Sequence, residues 1–131
     1  MIALDTNVLM RFLVEDDKAQ SGRAARFVAK AIARDDPLFI SDVVMCETVR
    51  VLVAAYQVPR QEIGETLGRL LMAAQLRYAD VDRLSRALNA FLTGKGDFAD
   101  YVIREEARAA GCEQVATFDR VLLKERAFVA P

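Results

Sequence analysis

The apolar positions of this chain follow two patterns that alternate along its length. Short uninterrupted apolar runs are typical of strands that are buried on both faces of a parallel sheet. Longer stretches repeat an apolar residue every three or four positions, as amphipathic helices do. This alternation of strands and helices predicts parallel strands joined by right-handed crossovers. The predicted strands cover residues 2–4, 38–40, 76–81, 114–118 and 127–129.

Six helices are predicted in the remaining stretches, together with a short helical turn at Leu122 and Leu123. Gly111 is expected to end the last helix, because glycine readily adopts the left-handed conformation found after helix ends. The predicted helices cover residues 8–13, 16–33, 42–56, 59–74, 82–93 and 97–110. The residues expected to face inward from the second and sixth helices are Ala24, Phe27, Val28, Ala31, Ile32, Ala99, Val102, Ile103, Ala107 and Ala110.

The third predicted helix is apolar nearly all round, so we expect it to be largely buried. Glu47 lies inside this apolar run and is therefore anomalous. Burying a lone carboxylate is costly unless it is paired or bound to a metal ion. The alternative is an exposed Glu47 that pairs with Arg50, three positions further along the helix.

Length and composition indicate one globular domain that spans residues 1–131. The hydrophobic fraction is 53% and the charged fraction is 28%, which is typical of a folded domain. A net charge of −1 gives no general attraction to nucleic acid, so any basic surface must be local. No apolar run is long enough to span a membrane, and the chain begins with a strand rather than a secretory signal. We therefore expect a cytoplasmic protein with no membrane partner.

The cysteine and histidine counts restrict the possible chemistry. Cys46 and Cys112 are far apart, and we expect both to be reduced thiols in the core. The chain contains no histidine, which removes the base of Ser-His-Asp and Cys-His catalysis and excludes histidine-ligated zinc. Catalysis must then use carboxylates, hydroxyls, lysine or arginine, and a metal ion held by oxygen ligands becomes the natural hypothesis.

Acidic residues occur at element ends where a sheet-edge site would need them. Asp5 follows the first strand, Asp119 follows the fourth, and Asp97 and Asp100 share one face of the first turn of a helix. Each also has a structural explanation, because aspartate is a favoured helix cap and stabilises helix starts. Carboxylates gathered at one sheet edge repel each other unless a cation compensates, and Mg²⁺ prefers such oxygen ligands.

Four segments taken together resemble the PIN-domain ribonucleases, in particular the VapC-type toxins of bacterial toxin–antitoxin pairs. The likeness covers essentially the whole chain and keeps the order of the family's motifs. The segments are Leu4-Asp5-Thr6-Asn7-Val8-Leu9, the helical Glu47, Asp97-Phe98-Ala99-Asp100-Tyr101 and Thr117-Phe118-Asp119.

The resemblance implies a three-layer α/β/α sandwich with a short-stranded, mainly parallel sheet. It also implies RNA cleavage with Mg²⁺ or Mn²⁺, a homodimer, and silencing by a cognate antitoxin protein. Asp5 and Asp100 match metal ligands of the family's acidic quartet, and Glu47 and Asp119 complete that quartet. The accessory positions matched by the resemblance are Asp97, Thr6, Asn7 and Thr117.

The sequence departs from the family after Asp119, where Arg120-Val121-Leu122 lacks the second acid and the aromatic residue that many members carry. Arg11 is either a phosphate contact or a surface charge. One alternative function is a non-catalytic PIN-like binding module whose acids only cap helices. A haloacid-dehalogenase-type phosphatase is a further alternative, but it needs an acid where Asn7 stands. A receiver domain needs a strand-end lysine, which Thr117-Phe118-Asp119 does not supply.

Overall fold

A computed structural model describes all 131 residues of the chain. Strands and helices alternate in the order expected from the apolar patterns. The strands are β1 (Ile2–Ala3), β2 (Leu38–Phe39), β3 (Leu76–Arg77), β4 (Val115–Ala116) and β5 (Phe128–Val129). The helices are α1 (Thr6–Leu13), α2 (Lys18–Ala33), α3 (Asp42–Ala54), α4 (Arg60–Met72), α5 (Val81–Thr93) and α6 (Phe98–Ala109), and a 3-10 turn covers Leu122–Lys124.

All strand pairs are parallel, as the alternation predicts. In the first sheet β2 lies between β1 and β3, with Leu38 opposite both Ile2 and Leu76. The second sheet pairs β4 with β5, and Val115 lies opposite Phe128. The expected α/β fold with short parallel strands is therefore confirmed, although the strands form two separate sheets.

The core lies mainly where helices α3 to α6 pack against one another and against the first sheet. It is a continuous cluster of 22 buried residues. Phe91 and Phe98 meet edge to face at 6.1 Å between ring centroids, which connects α5 to the start of α6. No helix of the structure is both long enough and apolar enough to cross a bilayer.

The expected burial of the third helix was wrong. Its buried residues are confined to one stripe at helical spacing, namely Met45, Thr48, Val49 and Leu52. Val43 and Val53 are 65% and 48% exposed. Glu47 is also exposed, because it is two positions from both Met45 and Val49 and so points away from the stripe. It forms no ion pair with Arg50.

Five other residues that were expected to be buried are exposed, namely Phe27, Ile32, Ile103, Ala110 and Cys112. Phe27 and Ile32 of α2 are exposed, because that helix buries only a narrow stripe that passes through Ala24 and Val28. Ile103 of α6 is 51% exposed beside the buried Val102. Cys112 is exposed rather than in the core, because it follows the helix-ending Gly111, whose φ of 92° confirms the predicted left-handed turn.

Candidate active site

The start of helix α6 carries two of the predicted acids. Gly94, Lys95 and Gly96 form the loop after α5, and Asp97 occupies the capping position of α6, as predicted. The Asp97 backbone N–H donates a hydrogen bond to Oδ2 of Asp100 at 3.0 Å. This contact orients the Asp100 carboxylate within the first turn of the helix.

Asp100 is half-buried and is surrounded by charges of its own sign. Burial raises the pKa of its carboxyl group, and the hydrogen bond from the Asp97 backbone opposes that shift. The negative charges of Asp97, Asp119 and Glu125 raise the pKa further, so the net change is upward. The structure therefore brings the carboxylates of α6, of the β4 end and of the 3-10 turn into one electrostatic neighbourhood.

The carboxylate of Asp119 is held by a tight turn directly after β4. Its backbone N–H donates to the Thr117 hydroxyl at 3.1 Å, and its Oδ1 accepts the Val121 N–H at 2.8 Å. Phe118, between Thr117 and Asp119, is 88% exposed. The turn thus presents an ordered carboxylate and an exposed aromatic ring at the surface.

Asp5 is the cap of helix α1, and its Oδ1 accepts the Val8 N–H at 2.9 Å. Thr6 is the first residue of that helix and Asn7 is exposed beside it. Asp5 and Asn7 also line a cavity of about 450 Å³ next to β1. Arg11 lines the same cavity, but its guanidinium is engaged by Asp16 at 2.8 Å and by Gln20.

Glu47 lies on the exposed face of α3. Its charge acts on the half-buried thiol of Cys46. Burial, together with the negative charges of Asp42, Glu106 and Glu47, raises the pKa of that thiol to about 11, so the thiol is neutral and unreactive at ordinary pH.

The predicted acids do not form one compact metal centre. No group of three or more cysteine, aspartate or glutamate side chains lies close enough together to hold a metal ion. The donors around Asp100 nevertheless fit a hard cation, because Mg²⁺ commonly binds through one or two carboxylates and keeps several waters. The negative charges that act on Asp100 would be relieved by such an ion.

Sequence reasoning missed three residues that organise this neighbourhood. The Tyr101 hydroxyl donates to Glu125 at 2.7 Å and accepts the Gly96 N–H at 3.0 Å. Arg60, at the start of α4, donates to backbone carbonyls at the end of α5 and in the loop before Asp97. The contact between Gly96 and Tyr101 spans five positions, but the others span 24 to 36 positions of the chain, so no local pattern indicates them.

A comparison with models of protein families matches the PIN domain over residues 2–129. The matched segment contains every element of the structure from β1 to β5. The PIN domain is generally a nuclease fold, and its members typically use divalent metal ions. No curated protein matches the chain.

Proposed function

The chain belongs to the PIN domain family, and on this premise we propose that it is a divalent-metal-dependent endoribonuclease that acts as the toxin of a toxin–antitoxin pair. The proposal covers Mg²⁺ or Mn²⁺ as the cofactor, RNA as the substrate, and a cytoplasmic location. It takes Asp5, Glu47, Asp100 and Asp119 as the acidic residues of the site, with accessory roles for Asp97, Thr6, Asn7 and Thr117.

The observation that carries this proposal is the setting of Asp100. A half-buried carboxylate normally gains a cationic partner, whereas Asp100 forms no ion pair and the main charges that shift its pKa belong to Asp97, Asp119 and Glu125. Holding like charges beside a half-buried carboxylate costs free energy, and such a cost is typical of sites that bind a cation during function. A binding module whose acids only cap helices has no need for this accumulation of charge.

We assign separate roles in phosphodiester hydrolysis to different residues of the chain. Asp100 and Asp5 would hold the metal ion, which when bound lowers the pKa of a water molecule and stabilises charge on the phosphoryl oxygens. Asp119 is an exposed carboxylate in a fixed turn, and we assign it the role of orienting the attacking water and accepting its proton. Thr117 keeps Asp119 in place by accepting its backbone N–H.

Cleavage of RNA by the purified protein tests the proposal. We expect cleavage of RNA with Mg²⁺ or Mn²⁺, none after chelation, and none of a DNA strand of the same sequence. Asp5→Asn should reduce cleavage by a hundredfold or more, roughly 3 kcal/mol of transition-state stabilisation. Its fold should be retained, because asparagine caps a helix as well as aspartate does.

Glu65→Gln is the matched control for the loss of one carboxylate, since Glu65 is exposed on α4 and outside the site. This variant should cleave RNA as the wild type does. If Asp5→Asn cleaves as fast as wild type, or if the wild type binds RNA without cleaving it, the non-catalytic binding module is the better description.

The biological role and the assembly need separate experiments. As a toxin, the protein should arrest growth when expressed alone, and Asp5→Asn should not. Co-expression with the product of an adjacent small reading frame should restore growth and yield a co-purifying complex. Light scattering of the isolated protein tests the proposed homodimer, and a mass of one chain would contradict it.

A further inference from the structure

Arg60 lies at the first position of α4, outside every motif considered above, yet its guanidinium makes four hydrogen bonds to backbone carbonyls. We propose that Arg60 is a positioning residue that fixes the orientation of the Asp100 carboxylate. This inference rests on the proposed function, because it concerns the acid that is assigned to the metal ion.

The Arg60 guanidinium clamps the backbone between the end of α5 and Asp97. Nε and Nη2 of Arg60 donate to the Phe91 carbonyl at 2.9 and 2.6 Å, and Nη2 also reaches the Gly94 carbonyl at 3.2 Å and the Gly96 carbonyl at 2.6 Å. The guanidinium carbon lies 3.8 Å from the centroid of the Phe91 ring. The carbonyls at the end of a helix lack intrahelical donors, and arginine satisfies them with a planar, permanently charged group.

The peptide group that joins Gly96 to Asp97 links this clamp to Asp100. Its carbonyl oxygen accepts from Arg60, and its N–H donates to Asp100 Oδ2 at 3.0 Å. Because a peptide group is planar, fixing the carbonyl also fixes the direction of the N–H. Arg60 and Asp100 are therefore connected through one rigid group, and polarisation by the guanidinium strengthens the N–H as a donor.

The loop has little freedom to compensate for the loss of this clamp. A Cβ at Gly94 would collide with the Tyr101 hydroxyl, and one at Gly96 would lie 2.5 Å from Leu122 Cδ2. Gly96 also donates to the same Tyr101 hydroxyl, which is bonded in turn to Glu125. One side of the loop is thus fixed by α6 and the 3-10 turn, and Arg60 fixes the other side.

The test compares Arg60→Met, Arg60→Lys and the control Arg83→Met. Arg83 is partly buried, as Arg60 is, and pairs with Asp42 at 2.6 Å, so its loss removes a partly buried cation without touching the loop. In metal-free protein, hydrogen exchange of the Asp97 amide should become about tenfold faster in Arg60→Met. With Mn²⁺ alone as the probe, its dissociation constant should rise by about tenfold or more, which is typical for groups that orient metal ligands.

The kinetic expectation is specific to positioning. Arg60→Met should lower kcat on RNA by about tenfold with little change in KM, and Arg60→Lys should fall between it and the wild type. A lysine keeps the charge but lacks the planar group that donates hydrogen bonds to three carbonyls, so it should recover only part of the lost kcat. Arg83→Met should unfold at a lower temperature but keep the Asp97 exchange rate and the Mn²⁺ affinity of the wild type.

Several results would overturn the inference. One is unchanged amide exchange and Mn²⁺ affinity in folded Arg60→Met, and another is an equal loss of Mn²⁺ affinity in Arg83→Met. If Arg60→Met does not fold, Arg60→Lys decides, and wild-type behaviour of that variant counts against the proposal. A wild-type protein that neither binds Mn²⁺ nor cleaves RNA refutes the proposed function before any variant is compared, and the role of Arg60 fails with it.

Discussion

Asp100 and Glu105 lie five positions apart on helix α6, but their surroundings differ in sign. The Glu105 side chain is fully buried and is met by Arg86 at 2.7 Å, Arg104 at 3.0 Å and Arg108 at 3.3 Å. Asp100 is only half-buried, and the charges that shift its pKa are those of other carboxylates.

The difference is visible in the pKa of each group. Burial acts to raise the pKa of Glu105, but the hydrogen bonds from Arg86 and Arg104 and the charges of Arg104 and Arg108 outweigh it, so the net shift is downward. For Asp100 burial and like charges act together, and the pKa rises. One carboxylate of this helix is compensated by arginines of the fold, whereas the other forms no ion pair within the chain.

The largest expected effect is the loss of activity on removing the uncompensated charge. Asp100→Asn keeps the size of the side chain and its ability to accept the Asp97 N–H. It should reduce RNA cleavage by about a thousandfold, or ~4 kcal/mol, and leave the free energy of unfolding unchanged or slightly higher, because repulsion is relieved. Single-turnover cleavage and urea unfolding measure the two quantities. A clear loss of stability would show that Asp100 is structural, as Glu105 is.

The second largest effect is a loss of stability on removing the charge of Glu105, which arginines of the fold compensate. Glu105→Gln leaves three arginines facing one neutral amide, and only Arg104 among them is mostly buried. We expect a loss of about 2 kcal/mol in the free energy of unfolding, less than for a fully buried pair because two of the partners are exposed. The cleavage rate per folded molecule should not change. A variant that is stable but inactive would contradict the comparison.

The third effect uses metal binding to separate the two carboxylates. At ten times its dissociation constant, Mn²⁺ should stabilise the wild type by about 1.4 kcal/mol. Glu105→Gln should gain the same increment, because its binding site is intact, whereas Asp100→Asn should gain little. Thermal unfolding with and without chelator gives these increments, and NaCl at the same ionic strength serves as a control for nonspecific ion effects. Equal increments in all three proteins would place the metal away from Asp100.

Sequence reasoning was most successful where one local rule decides the structure. The parallel order of the strands follows from the alternation of short apolar runs with helical repeats. The capping role of Asp97 and the left-handed Gly111 follow from residue type at a helix end. These features depend on neighbours within a few positions, which a single sequence contains in full.

Sequence reasoning failed where contacts between distant segments determine the exposure or the partners of a side chain. The exposure of Glu47 follows from which side of α3 faces the core, and the apolar composition of that helix allowed either side. The compensation of Glu105 depends on Arg86 from another helix, and the clamp of Arg60 depends on a loop more than 30 positions away. Residue types at these positions are ordinary, so only the packed structure reveals their roles.

The smallest expected effect is the dependence of stability on pH, and its sign distinguishes the two carboxylates. An unfolded glutamate has a pKa of about 4.3 and an unfolded aspartate about 3.9. The pKa of Glu105 is lowered by folding, so its stabilising contribution is present above about pH 4.3 and is lost as the pH falls through the folded value. The pKa of Asp100 is raised by folding. Its carboxyl group is therefore protonated and does not destabilise the folded state below about pH 3.9, and the destabilisation by its negative charge appears as the pH rises through the pKa of the folded state.

The free energy of unfolding of wild type minus that of each variant isolates these contributions. Measured in urea at low salt without metal, the difference from Glu105→Gln should increase as the pH rises from about 3 to about 6. The difference from Asp100→Asn should decrease over the same range, because only the wild type must ionise that group beside Asp97, Asp119 and Glu125. Mn²⁺ should weaken the pH dependence of the Asp100→Asn difference, since a bound cation would compensate the charge of Asp100. It should leave the Glu105→Gln difference unchanged, because Glu105 is already compensated by arginine. If both differences increased with pH, both carboxylates would be balanced by charges of the fold. The electrostatic reason to expect a cation at Asp100 would then be lost.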